Sequence, residues 1–260
     1  SNLLWLKRQR SIINKPNTIE LFCKCREVML MFQLLRLYER NKYFRALAQK
    51  LGLRGAGYTN ISSERFIEYS WAFINLNEKT GRILDVGSTG SSFPLALACL
   101  GYEVYTLDIR QYEYSFPLPN LKSTTGDIKQ TDFPNDFFKT VTAISTIEHI
   151  GLGRYKDPID HEGDKKAINE IKRILMKDGM LLLTVPYGKP AVSQLHRVYS
   201  AVQLESILKD LKIESENYFL KKTVYWIHVS KEDLANVDSK KDVKGIACIK
   251  AKRNSKYLPN

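Results

Sequence analysis

Short β-rich runs alternate with helical segments between residues 82 and 185. The runs are Arg82–Val86, Glu103–Leu107, Leu121–Thr124, Phe138–Ile144 and Met180–Val185. Strands that are separated by crossover helices pair in parallel, and the helices then cover both faces of the sheet. The alternation therefore predicts an α/β fold in which a mostly parallel sheet is doubly wound.

Residues that start and stop helices lie between these runs. The segment Phe93–Leu100 has a proline in its first turn and a glycine directly after it, which predicts a helix. A second helix is predicted over Asp164–Met176. Two later runs, around 218–229 and 245–252, predict the last strands. The polar, lysine-rich segment 231–244 between them predicts an exposed connection.

The positive charge of the chain is concentrated in its first 60 residues. Twelve Lys and Arg against three Glu give this segment +9 of the net charge of +12. From Thr18 to about Gln49 it is free of Gly and Pro, which favours a helix. We therefore predict a basic N-terminal helical extension, residues 1–60, followed by one domain, residues 61–260.

Three partners are compatible with this basic extension. It could cap the core or join two copies in a homodimer. It could rest on an anionic membrane surface through its aromatic and basic side chains. It could also bind nucleic acid phosphates, although no recognisable nucleic-acid-binding module accompanies it.

The cysteines and the hydropathy favour a cytoplasmic protein. The four cysteines form no CxxC pair, which indicates reduced thiols without a disulfide or zinc role. No apolar stretch approaches the length that spans a bilayer. We expect a location in the cytoplasm, at the inner face of the membrane if the basic extension rests on lipid.

A glycine turn in Arg82–Ser91 is the strongest local signal. A buried strand containing Asp85 runs into a turn with Gly87, Ser88 and Gly90 and then into a helix. In a doubly wound sheet such a turn lies at the carboxyl edge, where ligands bind and where glycine lets the backbone approach them.

Acids end three successive predicted strands. Asp85 stands in the first strand, Asp108 ends the second, and Asp127 follows the third beside Ile128. An acid at the second position can accept two hydrogen bonds from a ribose diol. An acid next to an apolar side chain can take an exocyclic amine. The series predicts a nucleoside-type ligand.

The sequence of the turn distinguishes between two candidate nucleoside cofactors. A nicotinamide dinucleotide requires a GxGxxG turn to hold its pyrophosphate, and the sequence from Gly87 to Ser92 fails that spacing. S-adenosylmethionine carries no phosphate and needs an acid just before the turn, where Asp85 stands.

The order of these acids, followed by Ser145–Ile150, resembles the class I methyltransferase family over about residues 62–252. Thr89 and Ser91 depart from it, because the full family motif has glycines there. The resemblance implies a Rossmann-like fold with a seven-stranded sheet and S-adenosylmethionine as cofactor. It implies that Asp85, Gly87 and Gly90 contact the methionine end, Asp108 the ribose, and Asp127 with Ile128 the adenine; Ser88, Ile109 and Ser145 are further predicted cofactor contacts.

Three further segments resemble a narrower group of bacterial and archaeal methyltransferases. These segments are Glu148–Asp160, Pro186–Lys189 and Leu195–Tyr199. Many members of that group are encoded among glycosyltransferases of surface-polysaccharide pathways. The resemblance implies that the acceptor is a glycan or another small molecule, methylated on an oxygen.

Transfer to a hydroxyl requires a group that takes up its proton. We predict His149, just past the fourth strand, as this base, with Glu148 and His196 as further catalytic candidates. The predicted acceptor contacts are Arg154, Tyr155, Tyr187 and Arg197, of which Tyr187 is also a candidate base.

Two other functions stay open at this point. A family of small-RNA 2′-hydroxyl methyltransferases has a similar Glu-His pair that binds a divalent metal. Further ligands would then come from Asp157, Asp160, His161 or His196, but we predict no metal site. The chain could also be a cofactor-binding module without catalysis.

Overall fold

The structure is a computed structural model that describes residues 63–76, 81–114, 118–223 and 225–254. The predicted extension, residues 1–60, lies outside the described residues, so its helix and its partners stay predictions. No helix within the described residues has the length and apolarity needed to cross a membrane.

One mixed sheet forms the centre of the domain. Its strands are β1 (Arg82–Val86), β2 (Glu103–Asp108), β3 (Leu121–Thr125), β4 (Phe138–Ile144), β5 (Leu175–Pro186), β8 (Leu211–Lys222), β9 (Tyr225–Val229) and β10 (Gly245–Arg253). Their order is β3-β2-β1-β4-β5-β10-β8-β9. Strands β1 to β5 pair in parallel, and β10, β8 and β9 continue the sheet antiparallel. The predicted α/β class with a mostly parallel sheet is confirmed.

The predicted number of seven strands is wrong for the described residues, which form eight in this sheet. The sequence pattern predicts a single strand around 218–229. The chain instead reverses after Lys222, where Thr223 takes a positive φ of 32°. The strands β8 and β9 on either side of that turn pair with each other. A separate two-stranded hairpin joins β6 (Ala191–Val192) to β7 (Arg197–Val198).

Helices cover both faces of the sheet. They are α1 (Glu64–Asn75), α2 (Phe93–Cys99), α3 (Gly163–Ile174), α4 (Ala201–Ile207) and the short α5 (Lys231–Leu234), with one 3₁₀ turn at Ile147–His149. On one face, Trp71 of α1 and Phe93 of α2 pack against the strands; on the other, Ile168 and Ile171 of α3 do. These two apolar layers cover the faces of the sheet, and the predicted site lies at its edge.

The connection 231–244 is exposed over most of its length, as predicted, but it also carries two buried residues. Ser230 caps α5, and Leu234 is fully buried against the core. The hydroxyl of Ser239 is also buried and accepts hydrogen bonds from the backbone of Lys244 and Gly245. This connection therefore forms part of the domain surface near the β6–β7 hairpin.

Candidate functional site

The three predicted acids lie along one edge of the sheet. Asp85 is in β1, Asp108 ends β2, and Asp127 follows β3 by two residues. These strands are neighbours and run in parallel, so their carboxyl ends meet at the same edge. This placement agrees with the prediction that the acids lie at the ends of three successive strands.

Asp85 is buried beneath the glycine turn. Its Oδ1 accepts a hydrogen bond from the hydroxyl of Thr142 in β4 at 2.6 Å. Burial raises the pKa of Asp85 to about 7, and the hydrogen bond from Thr142 opposes that rise only in part. Asp85 therefore ties β1 to β4 directly below the turn.

Asp108 is held by its own loop. The backbone N–H of Thr89 donates to Oδ2 at 2.9 Å, and the backbone N–H of Arg110 donates to Oδ1 at 2.9 Å. The guanidinium of Arg110 adds two bonds, at 3.1 Å and 3.2 Å. Burial disfavours the charge, but these bonds outweigh it and hold the pKa of Asp108 below its usual range. The carboxylate is ionised and fully engaged.

Gly87 and Gly90 have the same backbone conformation and different surroundings. Both have φ of +76°, a backbone conformation that is strained in residues other than glycine. A Cβ at Gly87 would lie 2.5 Å from Thr146 Cγ2, because the segment after β4 packs against the turn there. A Cβ at Gly90 would meet no atom within 4 Å. The turn is thus closed on one side and open on the other.

Substituting these two glycines separates steric conflict from backbone strain. We expect Gly90→Ala to cost about 1–2 kcal/mol, the price of a positive φ. Gly87→Ala should cost about 1–3 kcal/mol more, because Thr146 must shift. Urea unfolding of both variants measures the difference, and equal losses would contradict the tight packing at Gly87.

Asp127 and Ile128 lie at the end of this series. Asp127 accepts the backbone N–H of Lys129 at 2.9 Å, and its carboxylate is 3.6 Å from Lys129 Nζ. Ile128 is buried. Of the other predicted cofactor contacts, Ser88 is buried in the turn and Ile109 is exposed beside Asp108.

Helix α1 supplies a buried ion pair that the sequence analysis missed. The Glu68 carboxylate, 0% exposed, accepts hydrogen bonds from the hydroxyls of Ser145 and Thr184 at 2.5 Å and 2.7 Å. Arg65 lies 3.4 Å from it and donates to the carbonyl oxygen of Ile144 at 2.7 Å. Burial raises the pKa of Glu68, against the charge of Arg65 and the two hydroxyls. The pair holds Ser145, whose φ is +43°, at the end of β4.

His149 has one ring nitrogen engaged and one with a lone pair. Its Nδ1 lies 2.6 Å from the carbonyl oxygen of Leu195, which can only accept, so Nδ1 carries the proton. Nε2 then has the lone pair, 3.5 Å from Glu148 Oε1 and 3.5 Å from Arg154 Nη1. Burial, and next the charge of Arg154, lower the pKa of His149 to about 3. The imidazole is neutral at physiological pH.

Glu148 is a buried carboxyl group with an unsatisfied atom. It is 2% exposed, and its Oε2 has no hydrogen-bond partner among the described residues. Burial raises the pKa of Glu148 to about 8, and the negative charge of Glu68 adds to the effect. Glu148 and His149 therefore form a pair in which the carboxylate, once ionised, favours a protonated imidazole.

Tyr155 connects this pair to Asp108. The guanidinium of Arg110 lies 4.4 Å from the centre of the Tyr155 ring, and that ring lies 5.9 Å from the His149 ring. Arg154 approaches the same ring at 5.2 Å. The structure thus brings together the acid that ends β2, the predicted base and two of the predicted acceptor contacts.

Two other predicted residues, Tyr187 and Arg197, have structural roles in the described part of the chain. Tyr187 is buried and packs against Tyr218. Arg197 is buried, donates to the carbonyl oxygen of Ile150 at 2.6 Å and lies 3.6 Å from Asp164. These contacts account for the burial of both side chains, and their contact with an acceptor stays a prediction.

His196 is also occupied by a structural contact. It is buried, and its Nε2 donates to the carbonyl oxygen of Ser239 at 2.8 Å. Its ring lies 6.5 Å from that of His149. Because Nε2 donates to that carbonyl, the lone pair of this ring is on Nδ1. The buried ring supports the loop that carries Ser239, and its catalytic role stays a prediction.

The side chains that a metal would need are not gathered at Glu148 and His149. Asp157 accepts the backbone N–H groups of Gly151 and Tyr155, and Asp160 lies between Lys129 and Lys166. Within the described ranges no group of three His, Cys, Asp or Glu is arranged to hold a metal ion.

Comparison with solved structures identifies the fold. A SAM-dependent methyltransferase from Methanosarcina mazei is 13% identical with a TM-score of 0.51, covering 70% of this chain and 97% of its own. Geranyl diphosphate C-methyltransferase from Streptomyces coelicolor A3(2), solved with Mg²⁺, geranyl diphosphate and S-adenosyl-L-homocysteine, is 12% identical with a TM-score of 0.50, covering 72% and 77%. The [4+2]-cyclase SpnF is 16% identical with a TM-score of 0.53, covering 73% and 80%. At these identities the likeness establishes the fold alone.

Comparison of sequences identifies the family. A search among curated protein sequences finds no match. The sequence profile of a family described as "Caenorhabditis protein of unknown function, DUF268" matches residues 98–242, more than half of the chain. The chain therefore belongs to the DUF268 family and has the fold of the S-adenosylmethionine-dependent methyltransferases.

Proposed function

We propose that the chain transfers a methyl group from S-adenosylmethionine to an oxygen acceptor, a sugar hydroxyl of a glycan or glycan precursor. The observation that carries the proposal is the contact series from Asp108 through Arg110 and Tyr155 to His149. It joins an acid suited to a ribose diol with a neutral imidazole that has a lone pair.

The residues at the sheet edge fit this cofactor. Gly90 faces open space at the turn, where an amino-acid moiety could approach the backbone. Asp108 would bind the ribose, with Asp127 and Ile128 at the adenine and Asp85 beneath the methionine end. When bound, S-adenosylmethionine supplies a methyl group on a positively charged sulfur. The residues themselves orient the acceptor and take up its proton.

His149 is the group that receives this proton. An acceptor hydroxyl loses its proton as the new bond to carbon forms, and Nε2 of His149 has the lone pair for it. An ionised Glu148, 3.5 Å away, stabilises the resulting imidazolium. The proton thus ends on Nε2 of His149, facing the carboxylate of Glu148.

Cofactor binding tests the first half of the proposal. We expect wild-type protein to bind S-adenosylhomocysteine in a calorimeter, and Asp108→Ala to weaken that binding at least about tenfold, because hydrogen bonds to a charged group are lost. Asp132→Ala, an exposed acid in the loop after β3, is the matched control and should bind normally. A wild-type protein that does not bind would overturn the proposal.

The glycan acceptor and the setting rest on the sequence resemblance. We propose a cytoplasmic enzyme whose residues 1–60 contact an anionic membrane surface, nucleic acid or a second copy of the chain. RNA is the alternative acceptor. If the protein binds an oligonucleotide and the affinity falls steeply with added salt, RNA is favoured as the acceptor, because phosphate contacts release counterions.

A further inference from the structure

Arg154 is a cation without a carboxylate partner at the centre of the site. Its side chain is exposed, and its Nη1 donates to the carbonyl oxygen of Leu195 at 3.0 Å. No carboxylate of residues 63–76, 81–114, 118–223 or 225–254 forms an ion pair with it. By contrast, the nearby Arg65, Arg110 and Arg197 each pair with an acid.

The position of Arg154 makes His149, the proposed base, less basic. Arg154 Nη1 lies 3.2 Å from His149 Nδ1, and both nitrogens point their hydrogens at the same carbonyl oxygen of Leu195. After burial, the charge of Arg154 is the largest cause that lowers the pKa of His149. A guanidinium in this place opposes the proton transfer unless an anion compensates it.

Arg154 also has the donors for an anion. Its Nε and Nη2 have no hydrogen-bond partner in the described part of the chain. These two nitrogens form the edge of a guanidinium that binds a carboxylate or phosphate through two parallel bonds. The Tyr155 ring, 5.2 Å away, supports the guanidinium from one side.

We infer that Arg154 binds an oxyanion group of the acceptor next to His149, so the acceptor is an acidic sugar, carrying a carboxylate or a phosphate, rather than a neutral one. This inference rests on the proposed function. The bound anion neutralises Arg154 and restores the basicity of His149 only when the acceptor is in place. Arg154 thereby selects the acceptor and couples its binding to proton transfer.

Histidine NMR with three monosaccharides tests the inference. The chain has four histidines, so ring signals of His149 are resolved in protein with isotope-labelled histidine. We expect glucuronate or glucose 1-phosphate to shift these signals and glucose to leave them unchanged. The stronger of the two anionic sugars identifies the source as a carboxylate or a phosphate.

Two charge variants on the same loop complete the test. Arg154→Gln should weaken binding of the anionic sugar at least about tenfold, since a charge-assisted pair is lost. Lys156→Gln removes the same charge two residues away and should bind normally. An equal response to glucose, no response to either anion, or unchanged binding in Arg154→Gln would overturn the inference.

The outcome is separable from that of the proposed function, because the titration is run with and without S-adenosylhomocysteine. Cofactor binding without an anion response overturns the acidic acceptor alone. An anion response in a protein that does not bind the cofactor overturns the methyltransferase and leaves the anion site.

Discussion

His149→Gln is expected to lower turnover by about 10²–10⁴-fold and to leave the affinity for S-adenosylhomocysteine unchanged. Glutamine can keep the contact with the carbonyl oxygen of Leu195 but has no basic nitrogen. Methyl transfer from isotope-labelled cofactor to neutral and acidic sugars measures turnover. Calorimetry measures the affinity.

The matched control is His228→Gln. His228 is exposed on β9, at the far edge of the sheet, and its substitution should change neither quantity. The pH profile adds a second readout. Glu148 loses its proton as the pH rises through about 8, and its charge then favours proton uptake by His149, so wild-type turnover should rise there. Unchanged turnover in His149→Gln would exclude it as the base.

Breaking the ion pair in α1 is expected to cost about 3–5 kcal/mol of stability. Glu68→Leu leaves Arg65 without its carboxylate and removes the acceptor of the hydroxyls of Ser145 and Thr184. Arg65→Leu leaves a carboxylate that is fully buried. Urea unfolding measures both losses.

The double variant Arg65→Leu/Glu68→Leu is the decisive comparison. Removing both charges together avoids an uncompensated buried group, so we expect it to cost less than the sum of the single losses. Additive losses would mean that the two side chains do not interact. The exposed pair of Lys165 in α3 and Glu162, the residue that precedes this helix, serves as the control, because such pairs contribute about 0–1 kcal/mol.

The series of acids could be predicted because it depends on chain order alone. In a parallel sheet the end of every strand reaches the same edge, so Asp85, Asp108 and Asp127 are placed together once the strands are recognised. The glycine turn could be predicted as well, since the positive φ at Gly87 and Gly90 favours glycine.

The partners of Ser145 could not be predicted because they come from distant segments. Glu68 is 77 residues from Ser145 and 116 residues from Thr184. No periodicity relates such positions, and a Glu in an amphipathic helix is usually solvated. Only the packing of α1 over the ends of β4 and β5 brings it to the site.

The burial of two predicted acceptor contacts could not be predicted for a related reason. Tyr187 and Arg197 lie in segments that the resemblance marks as functional, but the direction of each side chain depends on strand register. Tyr187 turns into the core against Tyr218, and Arg197 turns towards the loop that carries Ile150. Register is fixed by tertiary packing and was not available from the order of residues.

The carboxylate of Asp108 has no unused place for another donor, since Thr89 and Arg110 already fill it. A diol that binds there must exchange with the guanidinium of Arg110 instead of adding to its bonds. The affinity of the diol then depends on the difference in free energy between Asp108 bound to the diol and Asp108 bound to Arg110. The concentration at which the site fills depends on a side chain that the ligand displaces as much as on those that it contacts.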